Sequence, residues 1–330
     1  MTTWEYVVEY TNATIAAMNV TMKKTAVWLC LLCLCSACFA QKVGVLRGPS
    51  GIPCAHLMES YPTARYEVFA SASQLLPKML KGEIDIGFLP PNVAAKAYNT
   101  SGTAVVALAV SGNTVVSLIT KDRALTDLAA LRGKTVHVAG QGATPDIIFR
   151  YVLSASGVDV GEGAGDVSLS YSIANAQLAP ALLSGRIEYA VVPEPFATVA
   201  LAADQGVVKA FDLGEEFARL SDGDVPPTTL ITANAKFAKS NPCVLCSFLA
   251  EYEKAYQWTL ANTREAGLAV ERASLGLTAD IAAKAIPNCA FTFKRAGDAR
   301  DQIEAALLVF LHFDEATVGG KLPADGFYFD

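Results

Sequence analysis

The segment QLLPKMLKGEIDIGFLP, from Gln74 to Pro90, returns as QLAPALLSGRIEYAVVP, from Gln177 to Pro193, with no residue inserted or deleted. Both copies keep Gln, Leu, Pro, Leu, Gly, Ile and Pro at the same relative places, the mark of a repeated supersecondary unit. In the first copy Leu75, Leu76, Met79 and Leu80 recur at helical spacing. Gly82 then stands where a helix end wants positive φ, and Ile84 to Leu89 is apolar enough for a buried strand. The second copy repeats this with Leu178, Leu182, Leu183, Gly185 and the strand Ile187 to Val192. The alternative, that Leu and Gly are common and short units of this kind resemble one another by chance, stays open.

A strand opens each unit: Lys42 to Leu46 before GPSG, and Lys134 to Ala139 before GQGATPD. The succession strand, glycine loop, helix, helix, strand predicts an α/β lobe with a mainly parallel sheet, built twice. GNTVVSLITKD and PPTTLITANAK are both β-branched strands ending in polar residues, and are read as a two-strand hinge between the lobes. Lobe 1 is then expected over 41–121 and 215–330, and lobe 2 over 122–214. The stretch SDGDVPP is a linker by composition.

Size and charge agree with that plan. The chain has 330 residues, is 52% hydrophobic and 18% charged, and carries a formal net charge of −6. There is ample core for about two domains. With no basic run, nucleic acid is not an expected partner. Lys23 and Lys24 precede the uncharged stretch TAVWLCLLCLCSACFAQ, which has the charged, apolar and small-residue regions of a secretory signal over 22–40. Glu5 and Glu9 do not suit such a signal, so Met22 reads as the start and 1–21 as a non-native extension. Two endings of the signal compete. Cys38 follows Leu34, Cys35, Ser36 and Ala37, a loose lipoprotein box that makes Cys38 a candidate for lipidation; a cut after Ala40 yields a soluble product instead.

Four cysteines remain beyond the signal: Cys54, Cys243, Cys246 and Cys289. They allow two disulfides in three connectivities, among which sequence does not choose. Cys243 and Cys246, one helical turn apart, read as small core-facing residues in preference to a redox pair. His56, His137 and His312 have no metal-ligand spacing, Ser50 is not in a nucleophile elbow, and no cofactor or metal motif is present.

In open α/β sheets ligands bind beyond the carboxyl ends of the strands. Four loops qualify. The first runs Arg47, Gly48, Pro49, Ser50, Gly51, Ile52, with Ser50 placed to cap a helix beginning near Pro53; the second is Pro90, Pro91, Asn92, with Asn92 as cap. The third contains Gln141, Gly142, Ala143 and Thr144, with Thr144 as cap and Pro145 in the first helical position. The fourth is Pro193, Glu194, Pro195. Helix N-termini in the first and third favour a carboxylate, sulfonate or phosphate. Glu194, a carboxylate between two prolines, is placed to accept from an amine or amide, a solvated loop acid being the alternative.

With KVGVLRGPSGIP, KMLKGEIDIGFLPP, LRGKTVHVAGQGATPD, LLSGRIEYAVVPEPFAT and GGKLPADGFYF in view, the chain resembles the ABC transporter substrate-binding proteins of the nitrate, sulfonate, taurine and thiamine-precursor group. The resemblance implies a type II periplasmic-binding fold, in which two lobes close on a small organic or oxyanion ligand and present it to a permease and ATPase. It implies an exported monomer, in the periplasm or at the outer face of the cytoplasmic membrane, with no cofactor and no catalysis. It maps the ligand site to Pro49, Ser50, Gly51, Asn92, Gln141, Gly142, Ala143, Thr144 and Glu194, with Thr114 at the lobe crossing. The same fold serves cytoplasmic enzymes similar to pyrimidine-precursor synthases of thiamine formation and to dehydratases of menaquinone formation. The former need a Lys and a His in the cleft, and the four loops hold neither.

Overall fold

The computed structural model describes residues 40–329 except Thr103, Asp204, Gln205 and Asp222. The extension 1–21 and the expected signal up to Phe39, Cys38 included, lie outside the described residues.

The first half of the chain runs β1 (Lys42–Leu46), α1 (Ile52–Ser60), β2 (Arg65–Phe69), α2 (Ala72–Leu80), β3 (Ile86–Leu89), α3 (Pro91–Thr100) and β4 (Val105–Asn113). It continues through β5 (Val116–Thr120), β6 (Thr135–Val138), α4 (Thr144–Ala155), β7 (Ser168–Ser170), α5 (Asn175–Leu183) and β8 (Tyr189–Pro193). Then come α6 (Phe196–Ala202), β9 (Val208–Asp212), α7 (Leu213–Ser221), β10 (Pro227–Asn234) and α8 (Ala235–Ser240). The chain ends with α9 (Pro242–Ala261), α10 (Thr263–Arg272), α11 (Ala279–Ala285), β11 (Phe291–Arg295) and α12 (Arg300–Phe313).

The repeat is real down to its hydrogen bonds. At the end of α2, Lys81 N–H donates to Pro77 O at 3.2 Å, Gly82 to Met79 O at 3.0 Å and Glu83 to Lys78 O at 2.9 Å. At the end of α5, Ser184 donates to Pro180 O at 3.0 Å, Gly185 to Leu182 O at 3.0 Å and Arg186 to Ala181 O at 2.9 Å. Gly82 and Gly185 have φ of 73° and 74°, the left-handed geometry such a stop requires. Ile84 and Ile187 complete the same turn by donating to Lys78 O and Ala181 O, so β3 and β8 begin two residues later than the apolar runs suggest.

The strands form two sheets, ordered β11-β4-β10-β3-β1-β2 and β7-β6-β8-β5-β9. Written from the parallel edge, β2-β1-β3-β10-β4 and β7-β6-β8-β5-β9 are the same design. In each, the pairs around β1 or β6 are parallel, while β10 or β5 pairs antiparallel with both neighbours. The expectation of mainly parallel sheets is thus corrected to mixed ones: the fourth strand of each sheet, the one that directly follows a crossing, runs antiparallel to both neighbours. β5 belongs to the second sheet, so the chain changes sheet at Thr114 and Val115, before SLIT and not after it at 122. α7 packs on α4 of the second lobe, and the return lies between Gly223 and Pro226.

The two crossings are tied together. Thr114 N–H donates to Pro226 O at 2.8 Å, and Gln302 on α12 donates through one amide to Asn113 Oδ1 at 3.1 Å and Val225 O at 2.6 Å. Apolar residues of α12, among them Ile303, Leu307 and Phe310, share one buried cluster with Phe149 and Leu153 of α4. A second cluster packs α1, α9 and α10 on the other face of the first sheet, with Ile52, Leu57, Phe248 and Tyr252 fully or almost fully buried. All four described cysteines are free: Cys54 and Cys289 are buried, and burial pushes both thiols up. Cys243 and Cys246 are exposed, not core-facing, because the buried stripe of α9 runs through Leu245, Phe248, Leu249 and Tyr252 and the two cysteines stand on another face of the helix.

An added methyl at Gly82 or Gly185 meets nothing within 4 Å, so replacement tests backbone conformation alone. Gly82→Ala and Gly185→Ala are each expected to cost about 1–2 kcal/mol in urea unfolding, with equal losses in the two copies.

Candidate functional site

A cavity of about 710 Å³ opens where the two lobes face each other, within the ~300–1,000 Å³ usual for small-molecule sites. Its walls are the carboxyl ends of β1, β3, β6 and β8 and the crossing segments: Leu46 to Ser50, Pro90, Ala139, Ala143 to Pro145, Pro193 to Phe196, Val115, Val116, Thr228 and Thr229. A loop after α10 adds Leu275, Gly276 and Leu277. Most of this lining is apolar, and Arg47 and Glu194 are the only charged side chains in it. Arg47 is exposed and, among the described residues, forms no ion pair or side-chain hydrogen bond.

Glu194 is the opposite case. It is 6% exposed, its N–H donates to Val115 O at 3.0 Å, and its Oε2 accepts from Thr198 N–H at 3.2 Å. No cation pairs with it, so burial lifts its carboxyl above the ordinary 4.5, opposed by the hydrogen bonds from Thr198. Glu194 also lines a second recess of about 260 Å³ behind the cleft, with Thr114, Ser117, Lys209, Asp212, Glu215 and Asn288 among its walls.

Of the residues singled out from sequence, Pro49, Ser50, Ala143, Thr144 and Glu194 line the cleft. Gln141 and Gly142 are exposed on the loop leading to Ala143 and do not line it. Gly51 is buried: a Cβ there would stand 2.3 Å from Leu46 O, so this glycine serves the close approach of α1 to β1. Asn92 lines a separate recess with Leu76, Leu80, Val93 and Lys96, because it sits one residue into α3 and faces α2. Thr114 faces the rear recess, and its buried hydroxyl has no hydrogen-bond partner.

The expected caps are also corrected. Pro49–Gly51 form a 3₁₀ turn running into α1, with Gly51 and not Ser50 at its N-cap. Pro90 precedes α3, and Ala143 precedes α4, which puts Thr144 and Pro145 in its first two positions. None of these three helices is capped by a side chain. The Ser50 and Thr144 hydroxyls are therefore left for the cleft.

The loop before α4 is held from behind by a cluster that sequence did not announce. Buried Asp146 accepts from Gly142 N–H at 2.8 Å, from Arg150 Nε at 2.8 Å and from the Tyr171 hydroxyl at 2.7 Å. Arg150 also donates to Tyr171 at 2.7 Å. Burial, then the bond to Asp146, pushes the Tyr171 phenol up to about 12. The i, i+4 spacing of Asp146 and Arg150 was visible; that Tyr171 and Gly142 complete the cluster was not. Phe196, Asn175 and the loop around Leu275 were missed for the same reason, and Arg47 stood in the first candidate loop without being singled out as a ligand residue. Nothing local to those residues says which way they face.

The sequence profile of the NMT1-like family matches residues 56–274. The chain belongs to the NMT1-like family. No curated protein sequence matches it at a significant level. Among solved structures, an ABC transporter protein from Parabacteroides distasonis is similar over 88% of this chain and 99% of its own, with 26% identity and a TM-score of 0.72. The periplasmic aliphatic sulphonate binding protein SsuA from Escherichia coli covers 88% and 92%, at 19% identity and a TM-score of 0.69. The periplasmic nitrate-binding protein NrtA from Synechocystis covers 87% and 83%, at 16% identity and a TM-score of 0.60. The fold of this NMT1-like chain is that of the type II periplasmic binding proteins.

Two variants test the site chemistry. Asp146→Asn is expected to lose about 2 kcal/mol of stability, the worth of hydrogen bonds to a charged group, read by urea unfolding. The folded-state Glu194 carboxyl titrates above its unfolded value, so its contribution is present at low pH and lost as pH rises through the folded titration. Glu194→Gln should therefore gain stability relative to the parent as pH rises above the ordinary carboxylate value of 4.5; urea midpoints on both sides of that value check the sign.

Proposed function

We propose that this chain is the extracytoplasmic solute-binding component of an ABC importer, capturing a small organic or oxyanion ligand between its lobes and delivering it to a permease and ATPase. The observation that carries this reading is the cleft itself: one cavity walled by equivalent strand exits of two lobes and floored by the only two segments that join them. Such a cavity changes shape when the lobes rotate about the crossings, and a ligand bridging both lobes favours the closed form by its differential affinity. That a sulphonate-binding and a nitrate-binding periplasmic protein share this fold supports the assignment.

The lining suggests how a ligand is held. Arg47, the Ser50 hydroxyl and the N-terminal turn of α4 favour a negative or acceptor group. Glu194 offers an acceptor to a donor group, and Phe196, Leu275 and Leu277 bracket an apolar body. We take the protein to work as an exported monomer, held at the membrane if Cys38 is lipidated and free in the periplasm if the signal is cut after Ala40.

Mass spectrometry of the native protein should reveal a co-purifying small molecule. Separately, a thermal-shift panel of nitrate, sulfate, ethanesulfonate, taurine and aminopyrimidines should raise the midpoint with one class, following mass action. A panel that moves nothing, with no co-purifying compound, would sink the proposal. Glu194→Ala should weaken binding of the active compound about tenfold or more while the protein remains folded; unchanged affinity removes Glu194 from the site.

A further inference from the structure

Glu194 stands between two cavities, the cleft and the smaller recess behind it, and lines both. Its carboxylate therefore has two open sides, and what holds it decides which side the free oxygen serves. Its hydrogen-bond donor among the described residues is the Thr198 backbone N–H at 3.2 Å, and the Thr198 hydroxyl stands close enough to favour the charged carboxylate. Thr198 is buried on α6, in the second lobe. Its hydroxyl oxygen accepts in turn from Asn288 Nδ2 at 3.0 Å. Asn288 ends the 3₁₀ turn Ile286–Asn288, which follows α11 on the first lobe. An amide N–H can only donate, so the bond from Asn288 occupies a hydroxyl lone pair and leaves the Thr198 proton free for the neighbouring Glu194. The bonds from Asn288 to Thr198 and from Thr198 N–H to Glu194 thus run through one residue from one lobe to the other.

We propose that Asn288 is a positioning residue for ligand capture, which acts through Thr198 to aim the Glu194 carboxylate and thereby makes its orientation depend on the contact between the lobes. The proposal rests on the cleft being the ligand site, and goes beyond it by naming a residue that does not line the cleft. In this arrangement a rotation that separates Asn288 from Thr198 frees the hydroxyl and loosens Glu194, whereas the arrangement seen here presents it fixed. Hydrogen bonds in such a row also polarise one another, so the distal one strengthens the proximal one. The other charged and titratable groups near Glu194 are Lys209 and Asp212 on β9, paired with each other at 3.0 Å, Glu215 on α7, and Cys289 beside Asn288. None of them donates a hydrogen bond to the Glu194 carboxylate.

The test needs no ligand, so it stands or falls independently of the transport assignment. The Glu194 side-chain carboxyl is followed by carbon-detected NMR titration in the full chain, in the parent, Asn288→Ala, Thr198→Val, and the double variant. The row predicts an upward shift of the titration midpoint in Thr198→Val, a smaller upward shift in Asn288→Ala, and no more than the Thr198→Val shift in the double variant. Thr198→Ser, which keeps the hydroxyl, should titrate as the parent does. Exchange of the Thr198 amide should accelerate about tenfold in Asn288→Ala, the net worth of one hydrogen bond. An Asn288→Ala titration superimposable on the parent, or shifts that add in the double variant, would overturn the proposal. If Asn288→Ala does not fold, Asn288→Ser carries the same comparison. For capture, the compound that is active in the thermal panel, or taurine as a bifunctional probe, should bind Asn288→Ala about threefold to tenfold more weakly, and the pH profile of binding should move with the NMR titration. A uniform loss of affinity with an unmoved pH profile would mark Asn288 as merely structural.

Discussion

Two strands of backbone carry the chain between its sheets, and they are hydrogen-bonded to one another where they cross. The bond from Thr114 N–H to Pro226 O makes the outgoing and returning segments one narrow ribbon, and Gln302 clamps that ribbon to α12 by grasping Asn113 and Val225 with a single amide. A pair of connections can twist and bend about its own axis but cannot slide apart without breaking these bonds. The rest follows from that constraint. Each crossing delivers the chain straight into the fourth strand of the lobe it enters, so the strand exits of both sheets face one another across the ribbon, and the space between them is the cleft.

The cleft is electrostatically uneven. Its exposed cation, Arg47, is solvated and has no protein partner, so it offers full charge at little desolvation cost. Its acid, Glu194, is buried and lacks a counter-ion, so it gains by meeting a donor. These two sites are separated by apolar walls and by prolines that have no N–H to offer. The Asp146, Arg150 and Tyr171 cluster serves the geometry without touching the cavity, by pinning Gly142 and hence the approach to Ala143 and Thr144.

Much of this was legible in the residues. The copies at Gln74 and Gln177 fold alike because each encodes its own helix, stop and buried strand within seventeen positions, and each glycine meets the same positive φ. Local pattern also put Pro49, Ser50, Ala143, Thr144 and Glu194 at strand exits. It misplaced Asn92 and Thr114, since one residue of helical rotation, or one residue along a crossing strand, turns a side chain to a different cavity. It put SLIT in the wrong lobe because a β-branched strand reads the same whichever sheet receives it. Cys243 and Cys246 looked core-facing because their helix is apolar, yet its buried stripe is Leu245, Phe248, Leu249 and Tyr252, and the cysteines lie off it.

By itself, then, the sequence determined the existence of two α/β units, the helix stops and strand exits, and the chemical types available at those exits, because all of these depend on residues within a turn or two of one another. Only the tertiary structure decided which lobe takes each crossing strand, that Arg47 and Glu194 share a cavity, and that Asn288 reaches Thr198. Those outcomes depend on strand pairing and side-chain direction between segments tens to hundreds of residues apart, where the deciding contacts have no local signature.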